Sequence, residues 1–189
     1  MSSTEMEAPE AAGLGDRLRA RRQAAGLSLA ALAEATGLTK GYLSKVERGV
    51  GQPSIGTIYR LADALGLPAA QLLTHGGPPS ALADITRASP ATPPQDGDLL
   101  LRPLFPSNTG QLIALEMWPP LQARPSQDTS THAGEELLHV LSGQMEILFE
   151  NQTLLLNTGD TLRFDARRPH RTRSLGPQRA RVLLVLVEG

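Results

Sequence analysis

Between Gly26 and Gly49 the apolar positions follow a helical period, and after Asp98 they follow a strand-like one. In the first stretch Leu29, Leu32 and Ala33 share one helix face until Gly37 interrupts it. Thr39 then stands where a helix N-cap belongs, because its hydroxyl can accept a free backbone N–H. Leu43 and Val46, three apart, point inward behind it and leave Lys40, Gly41, Ser44 and Lys45 outside. The pattern predicts two short helices joined by a tight turn. Beyond Asp98 it predicts short strands at 99–105, 111–118, 136–141, 145–149, 152–156, 161–164 and 180–187, rich in Leu, Val, Ile and Phe. Gly143, Asn157-Thr158-Gly159, Pro169 and Gly176-Pro177 punctuate them. Short strands at such spacing indicate an all-β sandwich or barrel, a jelly roll in outline, although periodicity does not separate that from other barrels.

The segment joining the two patterns, His75–Asp98, is dense in Gly, Pro, Ser and Thr and buries too little apolar surface to fold alone. It reads as a linker, with Ala81–Ile85 free to lie against either side. Residues 1–12 read as a disordered tail. The expected organisation is therefore tail 1–12, helical domain 13–74, linker 75–98 and β domain 99–189, which 189 residues accommodate.

The net charge of -1 says less than its distribution. Residues 13–73 hold eight basic residues (Arg17, Arg19, Arg21, Arg22, Lys40, Lys45, Arg48, Arg60) against four acidic ones (Asp16, Glu34, Glu47, Asp63). A helix held from behind and basic in front suits the DNA major groove. So modest a surplus predicts weak, salt-sensitive nonspecific affinity, which a homodimer on two half-sites of a double-stranded operator would remedy. There are no cysteines, so disulfides and thiolate metal sites are excluded. With no apolar run of membrane length and no signal peptide, a cytoplasmic protein with no membrane partner is expected.

The helical region resembles the lambda-repressor-like helix-turn-helix family. The matching residues are Leu18, Arg22, Gly26-Leu27-Ser28, Leu32-Ala33, Gly37-Leu38, Tyr42-Leu43-Ser44, Val46-Glu47, Gly49, Pro53-Ser54 and Leu61-Ala62. The resemblance implies five helices, about 14–25, 29–36, 40–48, 54–65 and 68–73. It also implies a structural pair, Arg22 with Glu47, tying the first helix to the end of the recognition helix. Lys40, Gly41 and Lys45 then face base edges, with Ser44 and Thr39 beside them and Arg48 near a phosphate. Leu29 stands where many relatives have a phosphate-anchoring glutamine.

The β region is similar to the cupin superfamily, and in particular to the cupin half of regulators that join a lambda-repressor-like domain to a cupin. The carrying residues are His132-Ala-Gly-Glu-Glu136, Leu141-Ser-Gly143, Gly159-Asp160 and Pro169-His170. The resemblance implies a jelly-roll barrel in which His132, Glu136 and His170 are ligand positions, Ser130 replacing the usual first histidine. Asp165, Arg167 and Ser174 depart from the second motif. Two histidines and a carboxylate can bind one divalent metal (Fe, Mn, Ni or Zn), with a serine hydroxyl or water in a fourth place; equally, they can line an effector pocket without metal.

Other positions carry weaker expectations. On strand alternation Leu138 and Val140 point inward and His139 faces the other way, while His75 lies in the linker. Arg167, Arg168, Arg171 and Arg173 read as a solvated loop around His170, the alternative being attraction of an anionic effector or a DNA phosphate. Glu116 and Trp118 sit on a strand that lines the barrel.

The fold class expected is α + β in two domains, a five-helix lambda-repressor-like head and an all-β cupin. The function expected is a transcriptional regulator whose cupin senses a small-molecule effector, with no catalytic residues. The alternative is a mononuclear iron cupin enzyme: the cupin enzymes that epoxidise hydroxypropylphosphonate also carry a helix-turn-helix-like domain and a His-x-x-x-Glu plus distant His triad.

Overall fold

The computed structural model describes residues 13–74, 83, 85–87, 99–105, 112–121 and 129–187. The tail 1–12 and most of the linker 75–98, including Ala81, Leu82 and Asp84, lie outside the described residues.

Five helices come first: α1 (Leu14–Ala24), α2 (Leu29–Thr36), α3 (Lys40–Glu47), α4 (Ile55–Ala64) and α5 (Ala70–Leu73). Three of them start on a hydroxyl cap. Ser28 accepts from the Ala31 N–H, Thr39 from Tyr42 and Ser54 from Thr57, each satisfying a donor the helix cannot bond internally. Gly37 ends α2 in the left-handed region at φ 66°, where a side chain would be strained, and so allows the sharp entry into α3. The resulting core is small: Leu18, Leu32, Leu43, Val46, Ile58, Leu61 and Leu72 are all buried. Arg17 Nε donates to the Leu72 carbonyl at 2.8 Å and ties α5 back to α1.

One ion pair braces this head. Arg22 on α1 grips Glu47 at the end of α3 with both fork positions, Nε to Oε1 at 2.6 Å and one terminal nitrogen to Oε2 at 2.9 Å. A further guanidinium nitrogen donates to the Leu27 carbonyl at 2.8 Å. The hydrogen bond to Glu47 holds the Arg22 guanidinium above its usual pKa. Bidentate geometry fixes the angle between α1 and α3 as well as their distance.

Eight strands follow: β1 (Leu100–Pro103), β2 (Leu112–Trp118), β3 (Glu135–Ser142), β4 (Gln144–Phe149), β5 (Thr153–Asn157), β6 (Thr161–Asp165), β7 (His170–Leu175) and β8 (Arg181–Val187). They form a five-stranded sheet, β1-β2-β8-β3-β6, and a three-stranded sheet, β5-β4-β7, with every pairing antiparallel. Alternate residues meet in the middle: Ile113, Leu115, Leu138, Val140, Met145, Ile147, Val182, Leu184 and Leu186 are buried, as period-2 patterning requires. This is a jelly-roll arrangement of two antiparallel sheets.

One expectation needs correction and another refinement. The arginine-rich segment around His170 is strand β7 and not a loop throughout; only Arg167 and Arg168 lie in the turn before it. Alternation explains the misreading, because β7 turns His170, Thr172 and Ser174 one way and the charged Arg171 and Arg173 the other, leaving no run of apolar residues to signal a strand. The strand of Glu116 and Trp118 does line the barrel, but their side chains do not face its core. They alternate with Ile113, Leu115 and Met117, whose register partners Leu186, Leu184 and Val182 form the core, so they lie on the opposite face. There Glu116 is buried beneath ion pairs to Arg102 and Arg181.

Removing one partner of the Arg22–Glu47 pair strands a buried charge. Glu47→Ala is expected to lower the unfolding free energy by about 3 kcal/mol. Replacing both residues by apolar ones of similar size should recover much of that, as read from urea unfolding.

Candidate effector site and DNA-reading face

The barrel brings His132, Glu136 and His170 into contact. Glu136 enters from β3, on the inward side with Leu138 and Val140. His170 opens β7, and Pro169 before it turns the chain in from β6. His132 belongs to a short extended segment whose backbone N–H donates to the Ala166 carbonyl at 3.1 Å. Ser130 completes this edge by pairing with His170 through both backbone hydrogen bonds, at 2.8 and 3.1 Å.

The protonation pattern follows from the partners. His132 Nδ1 lies 2.9 Å from the Ala133 carbonyl, and His170 Nδ1 lies 2.8 Å from the Arg168 carbonyl. A carbonyl only accepts, so both Nδ1 atoms carry the proton. Both Nε2 atoms then face the same oxygen, Glu136 Oε1, at 2.7 Å and 3.3 Å. Burial by itself would raise the Glu136 pKa, but the hydrogen bonds and charges of the two imidazoles outweigh it and hold the carboxyl at about 2. Burial pushes His170 down, and the hydrogen bond and charge of Glu136 reverse this, with a net upward shift. Two ring lone pairs aimed at an anion cannot stand without positive charge between them. The site calls for a cation, either a proton on an imidazole or a metal ion.

The residues present fit such an ion in type and tautomer, since each histidine offers Nε2 while a carbonyl orients the ring. As they stand they bond to one another, and among the described residues no group of three or more His, Asp or Glu side chains is spaced around a vacant ion position.

Aromatic rings enclose the triad. Phe164 meets His170 edge-on at 4.8 Å between centroids, and Phe149 lies 6.3 Å from it. Behind these two rings is a cleft of about 380 Å³ lined by Phe149, Leu154, Leu162, Phe164, Arg168 and Pro169. On the other side, Tyr59 of α4 stacks flat on His132, 4.2 Å between centroids and 4° between planes. Ser130 Oγ accepts the Gly56 N–H of the same helix at 2.7 Å. Sequence reasoning missed Tyr59, Phe149 and Phe164, and read Ser130 as standing at the first ligand position, a serine hydroxyl being one candidate for a fourth place; it did not foresee the bond to Gly56. No local pattern signals a contact such as Gly56 with Ser130, 74 positions apart.

Two of the arginines near His170 are engaged elsewhere. Arg167 stands 4.0 Å from Asp165 with its side chain exposed, and Arg173 pairs with Glu146. His139 is half-buried and holds the Thr161 hydroxyl at 2.9 Å.

In the head, α3 presents Thr39, Lys40, Gly41, Lys45 and Arg48 to solvent, with Ser44 half-buried among them. A Cβ at Gly41 would meet nothing within 4 Å, so another molecule can approach the backbone closely there. Arg48 folds back to donate to the Ser44 carbonyl at 3.1 Å. Leu29 packs against the apolar core.

Residues 13–74 match the helix-turn-helix domain family, and residues 120–186 match the cupin domain family. The HTH-type transcriptional regulator SutR of Escherichia coli K12 is 29% identical over 168 residues, which span 87% of this chain and 89% of SutR. The chain belongs to the helix-turn-helix transcriptional regulators with a C-terminal cupin. The transcriptional regulator ClgR of Mycobacterium tuberculosis H37Rv is 34% identical over 79 residues, 41% of this chain and 70% of that protein. The crystal structure of an HTH_3 family transcriptional regulator from Vibrio cholerae shares the fold, with a TM-score of 0.60 at 24% identity over 93% of this chain and 95% of that one. In this helix-turn-helix–cupin chain, no helix among the described residues is long and apolar enough to cross a membrane.

Glu136→Gln keeps the shape of the site and removes its charge. In chelator-treated protein it is expected to cost about 3 kcal/mol of unfolding free energy, because the two imidazoles lose a buried anion. Chemical denaturation of this variant beside wild type measures it.

Proposed function

We propose that this chain is a cytoplasmic, homodimeric transcriptional regulator that binds a double-stranded DNA operator through α3 and a small-molecule effector in the cupin barrel. The observation that carries the reading is the outer face of α3: small and basic residues only, on a helix braced from behind by the Arg22–Glu47 pair. Lys40 and Lys45 donate to base edges, guanine O6 and N7 being the natural acceptors. Gly41 lets the backbone come close, and Thr39 and Ser44 lie beside it. Arg48, at the end of α3, contacts a phosphate.

His132, Glu136 and His170 bind the effector from the barrel side. They also suit one divalent metal ion (Fe, Mn, Ni or Zn), which when bound would supply a Lewis-acidic anchor for an oxygen-bearing molecule. The chain's own contribution is to orient both rings through the Ala133 and Arg168 carbonyls and to keep water out with Phe149 and Phe164. The outer face of the five-stranded sheet supports a dimer. Leu112 and Val187, register partners, are exposed there together with Leu141. A single head with a modest positive surplus binds weakly, and two on adjacent half-sites bind with the product of their contacts.

Lys45→Ala should weaken binding to a fragment of the protein's own promoter region by about 1–3 kcal/mol, while its melting behaviour stays that of wild type. Gel shifts and thermal melts read the two quantities, and undiminished protection by the variant would mean that α3 is oriented otherwise. His132→Ala with His170→Ala should keep operator binding and lose the effector response. A wild-type protein that ignored its promoter region in dilute buffer, yet turned over a substrate on addition of iron(II), would establish the oxygenase alternative instead.

A further inference from the structure

The three side chains of the triad are almost sealed. His132 is 1% exposed and Glu136 and His170 4% each, so no effector reaches them unless part of the wall moves. One part of that wall comes from the DNA-binding head. The first turns of α4 lie on the segment Ser130–His132, where Gly56 and Thr57 are buried and Tyr59 covers the His132 ring. The fit at Gly56 is so close that a Cβ built there would lie 2.6 Å from the Thr131 nitrogen and 3.0 Å from the Ser130 Cα. Backbone on both sides makes this contact rigid. Through Ser130, whose backbone bonds to His170, the same contact reaches the second histidine.

We propose that α4 is the lid of the effector site, so that opening the triad to an effector and undocking the DNA-binding head from the barrel are one event. The inference rests on the reading that the triad holds the effector, and it adds the route by which the head responds. Ile58 and Leu61 of α4 belong to the core that Leu32 and Leu43 share, so the helix carries α3 with it when it leaves the barrel. A ligand that occupies the opened site stabilises the undocked head, and an operator that requires the docked spacing of two heads expels the ligand. Each shifts the other's affinity by the same factor. Tyr59 is a specificity-determining wall of the pocket as well as part of the latch.

Gly56→Ala is a wedge confined to this interface. The position is helical, alanine is the better helix former, and the nearest atoms outside the helix all belong to Ser130 and Thr131. The readout is the rate at which diethyl pyrocarbonate acylates individual histidines in the full-length protein, followed by peptide mass spectrometry, with His139 on the outer face as internal reference. In G56A and in Tyr59→Ala, His132 and His170 should react about tenfold faster than in wild type, the factor expected when one ordinary contact is lost from a local opening equilibrium. His139 should be unchanged throughout. Wild-type rates at His132 and His170 in both G56A and Y59A would overturn the proposal. So would acceleration confined to Phe164→Ala, which would put the entrance at the cleft behind the phenylalanines. Cobalt(II) titration of the same proteins separates the two readings. Accelerated acylation without cobalt binding leaves the lid standing and removes the metal from the site, whereas cobalt binding with unaltered acylation keeps the metal and removes the lid.

Discussion

The barrel end of this protein is organised around one buried anion. Glu136 sits between two imidazoles whose other nitrogens are already committed to backbone carbonyls. An unbalanced carboxylate in that position would be far too costly to keep. The carbonyls of Ala133 and Arg168 set the orientation of the two rings, and the carboxylate between them draws β3 and the start of β7 together. The site is charged and pre-oriented, so once the wall opens its two rings and carboxylate need not turn to meet a ligand.

That charge centre would be an isolated feature of the barrel if the head were tethered only by the linker. Instead the head touches it. Tyr59 lies on the ring of His132, and the Gly56 N–H is spent on Ser130. The head itself is stiff, because a bidentate pair locks α1 to α3 and α4 packs on α2 and α5 within the same buried apolar core. Stiffness matters for a switch, since movement taken up inside the head would never arrive at the DNA. On the proposed lid mechanism, a rigid head resting on a small, well-packed contact passes displacement to α3.

Much of the fold could be read from residue order. The apolar spacing of Leu29, Leu32, Leu43 and Val46, with hydroxyl caps at Ser28 and Thr39, specifies helices through contacts a few residues apart. The strands from β2 to β6 and β8 are visible because alternate residues must be apolar when a sheet covers a core. β7 was hidden because its exposed face is arginine, and a strand with Arg171 and Arg173 outside and His170 and Ser174 inside has no hydrophobic run to detect. The burial of Glu116 was equally opaque. Only the approach of Arg102 from β1 and Arg181 from β8 makes a carboxylate tolerable there.

The order of amino acids alone determined the helices, every strand but β7, the polar outer face of α3, and the residue types available to the triad, because each depends on neighbours within one or two turns or along one strand. Tertiary structure alone decided that Glu136 lies within reach of two rings at once, that His170 faces inward from a paired strand, and that Tyr59 from a helix of the head closes over His132. Those facts depend on register between sheets and on the docking of one unit against another. Contacts across such distances along the chain are settled by packing, and no periodic pattern records them.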